Sequence, residues 1–256
     1  MRLFSVVQRG DPVRLRCALF APTSRRERLL ALYAFNLELA KISSLVSEPM
    51  LGEIRLQWWR EALDEAYGEG PVRAHEVAQP LGEVVREAGL PRNLLDGMID
   101  ARGAELDPAF PSDFSALSNY LDATGGALTE AAALALSPLG EGERAVARAA
   151  GLAIAVSRYL AAIPVLRSRG KRSLPAKTAA SLDDASVDDD GENSLREIGL
   201  NAAAQARRGR RNVPRAALPA LLELPLAERR IRSGALEPMP ERLPFSVILR
   251  GLAGRW

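Results

Sequence analysis

The sequence contains one cysteine and one histidine in 256 residues, and each scarcity excludes a class of protein. Cys17 has no second cysteine with which to pair, which excludes an internal disulfide and suits a reducing compartment. His75 has no second histidine with which to form a histidine metal site. Because His75 lies in a polar stretch, we predict that it is a surface residue.

The sequence also has no long apolar run, few β-branched residues and no strong charge imbalance. No apolar run approaches the roughly 20 residues of a membrane span, and the N-terminal segment lacks the apolar region of a secretory signal. The formal net charge of +2 gives no argument for nucleic acid. Alanine, leucine, arginine and glutamate dominate instead, which favours helices. We therefore expect a globular, helical, cytoplasmic protein.

Helical periodicity predicts a single all-α domain over residues 1–256. Apolar residues recur at three- and four-residue steps over residues 29–46, and a second helix is predicted over 51–67. Further helices are predicted over residues 11–19, 75–88, 91 onward, 114–136 and 143–163, the last ending at Pro164. Gly125 and Gly126 inside a predicted helix indicate close packing or the close approach of a ligand. The acidic residues 181–193 lack apolar periodicity and predict a loop before short C-terminal helices.

Several short motifs, in their order and spacing, resemble the squalene/phytoene synthase family over nearly the whole chain. They are Asp11-Pro12, Phe20-Ala21-Pro22, Leu32-Tyr33-Ala34-Phe35, Arg55-Leu56 with Trp58-Trp59-Arg60, Tyr120-Leu121 with Gly125-Gly126, and Gly170 with Leu174-Pro175. The resemblance implies an all-α isoprenoid synthase fold. The enzymes of this family condense two prenyl diphosphates head to head.

That reaction requires a metal site, and the matching positions of this chain lack its ligands. Magnesium neutralises the departing diphosphate and prefers carboxylate oxygens. Carboxylates at positions i and i+4 on each of two facing helices would supply them. The resemblance places the first pair at Ala40 or Lys41 and Ser44, and the second pair at Ala162 and Leu166. We therefore predict a pseudoenzyme with no metal and no cofactor.

The resemblance also implies that two helical stripes face each other across a former catalytic cleft, which is apolar or filled. The stripes consist of Tyr33, Leu37, Ala40 and Ser44 on one helix and Ala155, Tyr159, Ala162 and Leu166 on the other. We expect Lys41 to place a cation where the metal would sit, and we expect Arg158 to belong to the same cleft. For Tyr120 two interpretations stay open: contact with a ligand, or burial with a satisfied hydroxyl group.

Further motifs resemble one branch of the family, the mitochondrial assembly factors of respiratory complex I. They are Phe35-Asn36-Leu37-Glu38-Leu39-Ala40, Val46-Ser47, Asp100-Ala101-Arg102 with Leu106-Asp107, and Pro244-Phe245-Ser246-Val247-Ile248-Leu249. This branch implies a protein that acts by binding a complex I subunit or an assembly intermediate. A prenyl lipid or a quinone-like tail in the cleft is the alternative ligand.

Two acidic clusters keep a magnesium-dependent head-to-head prenyltransferase open as an alternative function. Asp96 and Asp100 lie four residues apart on a predicted helix, and the acidic loop contains Asp184 and Asp188 at the same spacing. The favourable dipole at a helix start explains Asp96 without a metal. The loop has the polar pattern of a solvated segment.

Two features bear on larger partners. Trp58 and Trp59 point to different faces of one helix, so one ring is predicted in the core and the other is free to meet a partner or lipid. Two cationic strips are formed by Arg167, Arg169, Lys171 and Arg172 and by Arg207, Arg208, Arg210 and Arg211. They either aid solubility and compensate helix ends, or they contact anionic lipid peripherally at the inner membrane or a partner that recognises a basic patch. No aromatic residues interleave them, so nucleic acid is not an expected partner.

Overall fold

Helices account for the regular structure of this protein. The computed structural model describes residues 2–175, 185–234 and 247, and no strand lies within them. Within these residues the α-helices are α1 (Arg2–Gly10), α2 (Pro12–Ala18), α3 (Thr23–Leu45), α4 (Pro49–Tyr67), α5 (Ala78–Ala88), α6 (Arg92–Gly103), α7 (Phe114–Leu121), α8 (Ala127–Leu136), α9 (Glu141–Ser168), α10 (Ala185–Gly209) and α11 (Leu224–Ser233). A π-helical turn (Asp122–Gly126) joins α7 to α8, and short 3₁₀ turns cover Ala104–Leu106, Arg210–Asn212 and Arg215–Ala220.

Helix α9 is central to the fold, since α7, α8, α10 and α11 all pack against it. Glycines allow its close approach to the π-helical turn. A Cβ atom on Gly151 would collide with the carbonyl oxygen of Gly125, and a Cβ atom on Gly125 would collide with Ala155. The glycine pair of the sequence therefore serves close helix packing, one of its two predicted roles.

Helix α3 organises the N-terminal half and contacts α1, α5 and α8. Its residues Leu29, Leu32 and Phe35 are fully buried. The Phe35 ring meets the ring of Trp59 on α4 edge to face, with ring centroids 5.2 Å apart. Trp59 is buried, whereas Trp58 is only partly buried. The prediction that one ring of the tryptophan pair belongs to the core is confirmed.

Helix α9 does not end at Pro164, which corrects the predicted boundary. It continues to Ser168, and the backbone N–H of Arg169 still bonds to the carbonyl of Val165. A proline removes one intrahelical hydrogen bond and bends the helix, but it does not remove the contacts of its neighbours. Ile163 is fully buried, so packing holds the last turn in place.

The predicted acidic loop is also corrected, because α10 begins at Ala185. Residues 185–193 are therefore helical, and residues 181–184 lie outside the described part of the chain. Glu192 is buried and pairs with Arg167 at 3.2 Å and with Arg196 at 2.9 Å, while Leu195 is fully buried. Ion pairs and packing against α9 stabilise this segment as a helix, and its local composition does not reveal them.

Three further observations bear on the sequence predictions. Helix α1 precedes the helices predicted from the sequence. His75 is half-buried, less exposed than predicted: its ring lies 5.0 Å from that of Trp58, and its Nδ1 accepts from the backbone N–H of Val77 at 3.2 Å. Val247 is buried, and the other residues of the motif at 244–249 lie outside the described residues.

Helix α9 is long and apolar enough to cross a membrane by length and composition, contrary to the expectation that no such run exists. However, 61% of its most apolar 18-residue window is buried inside the protein. A core helix that packs on several sides needs the same composition, so this property is weak evidence for a membrane span.

Candidate functional site

A cavity of about 530 Å³ brings together residues of α3, α7 and α9. Ala40 and Ser44 of α3 line it, together with Tyr120 of α7 and with Ala162 and Leu166 of α9. The two pairs of positions at which family resemblance places metal ligands therefore share one cavity. All four of these residues lack a carboxylate. We call this space the central cavity.

Lys41 does not extend into the central cavity, which corrects the expectation that it occupies a metal position. Its Nζ lies 2.8 Å from Glu38 Oε1, and its side chain is 48% exposed. Consecutive helical residues point about 100° apart. Because Ala40 faces the cavity, its neighbour turns to solvent.

Tyr33 and Leu37 do not line the central cavity either. Tyr33 is buried with its ring 5.7 Å from the guanidinium of Arg14, and burial raises the pKa of its hydroxyl group. The Leu37 side chain packs where a Cβ atom on Gly10 would stand, at the end of α1. Only part of the predicted α3 stripe therefore lines the cavity. Ala40 and Ser44 line it, whereas Tyr33 and Leu37 pack against α2 and α1.

Arg158 belongs to a buried ion-pair cluster and not to the cavity lining. Its guanidinium lies 2.9 Å from Asp11 and 2.7 Å from Glu223, and both carboxylates are almost fully buried. Asp11 also caps α2 by accepting from the backbone N–H of Arg14 at 3.0 Å. Burial by itself would raise the pKa of Asp11, but the charges of Arg158 and Arg14 hold it below its usual value. This cluster joins α2, α9 and the start of α11.

A hydrogen-bonded network forms the polar wall of the central cavity. Glu105 accepts from Arg102 Nη1 at 2.5 Å, from Ser43 Oγ at 2.7 Å and from the hydroxyl of Tyr120. Arg102 also donates to that hydroxyl at 2.7 Å. The Tyr120 hydroxyl is therefore satisfied within the protein, while its ring still lines the cavity. Both interpretations of Tyr120 have a structural counterpart, and whether it contacts a ligand remains a prediction.

The network fixes the charge of its carboxyl group. Burial raises the pKa of Glu105, but the positive charge of Arg102 and the hydrogen bonds from Tyr120 and Ser43 outweigh it, so the net pKa is lowered. Glu105 therefore stays ionised and is already neutralised by Arg102. Sequence reasoning missed this pair. Its only signal was the i, i+3 spacing of Arg102 and Glu105 next to the Asp100-Ala101-Arg102 motif.

The residues of the central cavity do not fit a magnesium site. Glu105 and Asp107 are its acidic lining residues, and Arg102 already neutralises Glu105. Asp107 accepts from the backbone N–H of Ala109 at 2.8 Å. Within residues 2–175, 185–234 and 247, no three acidic, histidine or cysteine residues form a group that would hold a metal ion.

The weak metal candidates Asp96 and Asp100 lie outside the cavity. Asp96 pairs with Arg92 at 3.0 Å, and Asp100 pairs with Arg60 at 3.0 Å. Each carboxylate therefore has its own arginine partner at the protein surface. The side chains of Asp184 and Asp188 lie outside the described part of the structure.

The mouth of the central cavity is cationic. Arg169, Lys171 and Arg172 line it just after the end of α9, where Gly170 takes the left-handed conformation with φ 66°. Arg172 donates to the carbonyl of Ala109 at 3.0 Å. Three residues of the predicted strip at 167–172 thus belong to the site, whereas Arg167 pairs with Glu192.

The family model described as squalene/phytoene synthase matches residues 7–235. The chain belongs to the squalene/phytoene synthase family. Its fold agrees: it resembles squalene synthase HpnC from Alicyclobacillus acidocaldarius with a TM-score of 0.75 and 17% identity, covering 93% of this chain and 94% of that one. It also resembles a dehydrosqualene synthase solved with a ligand, with a TM-score of 0.77 and 14% identity. This match covers 99% of this chain and 94% of that one. The predicted all-α isoprenoid synthase fold is confirmed.

Relatives at about 30% sequence identity carry a different description. The chain is 31% identical over 221 residues to "NADH dehydrogenase (ubiquinone) complex I, assembly factor 6" of Bos taurus, and 30% identical over 221 residues to the Homo sapiens protein of the same name. Both matches cover 81% of this chain and 65% of the relative. The chain thus spans just under two thirds of the length of these relatives. The predicted resemblance to the assembly-factor branch is confirmed.

Proposed function

We propose that this protein is a non-catalytic member of the squalene/phytoene synthase family that acts by binding during the assembly of respiratory complex I. One observation carries the assembly role: the similarity to proteins named complex I assembly factor 6 extends over 81% of the chain at about 30% identity. The structures of the synthases share the fold at only 14% and 17% identity.

The lining of the central cavity supports a role without catalysis. Head-to-head condensation releases diphosphate, whose charge a divalent metal has to neutralise. Ala40, Ser44, Ala162 and Leu166 offer no carboxylate to such a metal. Glu105 is bound to Arg102 and is not available without breaking a buried ion pair.

The size and walls of the same cavity favour a lipid tail as a second ligand. Its volume of about 530 Å³ lies within the range of small-molecule pockets, roughly 300–1,000 Å³. Alanine, leucine, phenylalanine and tyrosine side chains supply most of its apolar lining. A prenyl or quinone-like tail fits these walls, and it needs no metal to be held there.

A deletion and complementation experiment tests the assembly role. We expect a strain without this gene to contain less assembled complex I and less NADH:quinone oxidoreductase activity, and we expect the intact gene to restore both. The measurements are a native gel of solubilised membranes and a membrane activity assay, with succinate oxidation as the internal control. Normal complex I levels in the deletion strain would contradict the assembly role.

A second assay separates binding from turnover. The purified chain is incubated with farnesyl or geranylgeranyl diphosphate and Mg²⁺, and diphosphate release is measured. We expect no release above the protein-free blank. Magnesium-dependent release would establish the prenyltransferase alternative and overturn the non-catalytic part of the proposal.

A further inference from the structure

Exposed apolar side chains are concentrated at one corner of the protein. Seven large hydrophobic residues are exposed among those the structure describes, and four of them lie where α3 ends and α4 begins. These four are between 47% and 72% exposed: Leu45, Met50, Leu51 and Ile54. Such side chains are ordinary when scattered singly, whereas a contiguous group indicates a contact surface. We call this group the α3–α4 corner.

The α3–α4 corner adjoins the mouth of the central cavity. Leu45 directly follows Ser44, which lines the cavity. Leu51 precedes Gly52. Gly52 packs so closely against the cavity-lining side chain of Leu106 that a Cβ atom on Gly52 would collide with it. On the other wall Val165, another exposed apolar residue, directly precedes the cavity-lining Leu166. Leu45, Leu51 and Val165 are therefore next along the chain to residues that line or touch the cavity wall.

Positive charge lies at the same opening. Arg169 and Lys171 are exposed, and neither side chain has an ion-pair or hydrogen-bond partner within the described ranges. Arg55 is an exposed cation on α4, between Ile54 and the buried Leu56. Acidic residues are present too: Glu53 lies 3.9 Å from Arg60, and Glu48 is exposed in the turn between the helices. Two exposed cations without such a partner, Arg169 and Lys171, thus stand at the cavity mouth.

We propose that the α3–α4 corner and the cationic mouth of the central cavity form one docking face for the surface of an anionic lipid bilayer. Exposed aliphatic side chains enter the boundary between headgroups and acyl chains, and lysine and arginine attract the anionic headgroups. Together they give two signals for reversible membrane binding, and the cavity opens on the bilayer side.

A bilayer suits this face better than a protein partner. Protein-binding hot spots are enriched in tryptophan, tyrosine and arginine that fill pockets on the partner. The exposed large apolar side chains of the corner are leucine, isoleucine and methionine, Trp58 beside Met50 and Ile54 is half-buried, and the exposed cation Arg55 directly follows Ile54. The docking face does not depend on the assembly role, so vesicle binding and complex I assembly are tested separately.

Vesicle sedimentation with the full chain tests the apolar half of the face. Vesicles of phosphatidylcholine are compared with vesicles that also contain the anionic lipid phosphatidylglycerol. We expect binding to the anionic vesicles and about tenfold weaker binding by the Met50→Ser/Ile54→Ser variant, since two apolar contacts are lost.

A matched control variant removes one exposed apolar side chain from α1 and one from the residue that follows α2. Phe4 and Leu19 are 39% and 45% exposed. The Leu19 carbonyl accepts from Arg26 in the first turns of α3, so it lies about 30 Å from Leu45 along this 23-residue helix. Phe4→Ser/Leu19→Ser should bind anionic vesicles as the unchanged chain does. An equal loss in the control and corner variants would overturn the proposal.

Charge neutralisation tests the cationic half. Arg169→Gln/Lys171→Gln should bind anionic vesicles roughly tenfold more weakly and with less dependence on salt, because each cation near the surface contributes to attraction. Arg208→Gln/Arg211→Gln removes the same charge from the other exposed cationic strip and should bind anionic vesicles as the unchanged chain does.

The proposal is wrong if the unchanged chain does not bind anionic vesicles. It is also wrong if the corner variant keeps vesicle binding while failing to restore complex I in the deletion strain, since the corner would then contact a protein.

Discussion

Arg102 and Glu105, three residues apart in sequence, form an ion pair with a 2.5 Å distance between Nη1 and Oε1, and the Glu105 side of this pair lines the central cavity. Both side chains are largely shielded from water. The pair holds Ser43 of α3 and Tyr120 of α7 in place through Glu105. The shape of the cavity therefore depends on a charge pair and not only on apolar packing.

Removal of one partner of this pair should strongly destabilise the fold. We expect Arg102→Ala to lower the free energy of unfolding by about 3–5 kcal/mol, because it leaves Glu105 charged, buried and unpaired. Arg92→Ala removes the more exposed pairs with Asp64 and Asp96 and should cost at most about 1 kcal/mol. Urea unfolding of both variants checks the difference. Equal losses would show that the wall network adds nothing to stability.

The buried cluster around Arg158 predicts an acid-sensitive contribution to stability. The folded pKa of Asp11 lies below its ordinary value of 3.8, so its contribution is fully present above that pH and is lost as the pH falls through the folded pKa. Asp11→Asn should be less stable at neutral pH, by roughly 3 kcal/mol. Its deficit relative to the unchanged chain should shrink below about pH 3.8. Urea unfolding across this range measures the deficit; parallel curves would contradict the assignment.

Close packing at the π-helical turn predicts a clear contrast between two glycines. Gly125→Ala places a Cβ atom against Ala155 and should destabilise the protein by about 1–3 kcal/mol. Gly142→Ala lies in α9 with open space around the new atom, and should stabilise by roughly 0.5–1 kcal/mol through helix propensity. Denaturant midpoints of the two variants test the sign. A stabilising Gly125→Ala would refute the close-contact interpretation.

Acidic residues restored on one helix alone should not restore chemistry. We expect Ala40→Asp/Ser44→Asp to release no diphosphate from prenyl diphosphates with Mg²⁺, because Ala162 and Leu166 still provide no ligand on the facing side of the cavity. The assay is diphosphate release compared with the unchanged chain. Measurable turnover in the double variant would show that two acidic pairs are not required.

The single cysteine should be chemically silent in the folded protein. Cys17 is buried, and burial together with the nearby carboxylate of Glu223 raises the pKa of its thiol well above the usual value. We expect a thiol reagent such as dithionitrobenzoate to react slowly near neutral pH and rapidly in denaturing urea. Fast reaction in native buffer would place Cys17 at an accessible surface.

Local patterns in the sequence predicted much of the fold, and tertiary contacts account for the errors. The three- and four-residue periodicity of α3 and the i, i+4 spacing at 40/44 and 162/166 are properties of a helix. Family resemblance then paired the two helices, and the central cavity contains both pairs. Pro164 and the acidic stretch at 185–193 misled the local analysis, because buried contacts with neighbouring helices keep both segments helical.

The order of residues along the chain determined which positions are apolar, which are helical and which former ligand positions lack a carboxylate, because these properties act over one or two helical turns. Only the tertiary structure decided which charges meet. Arg158 reaches Asp11 and Glu223 across 147 and 65 positions, and Lys41 turns to Glu38 and away from the cavity. A buried charge takes whatever partner the packed helices bring within hydrogen-bond distance, since leaving it unpaired is costly, and spacing along the chain does not reveal that partner.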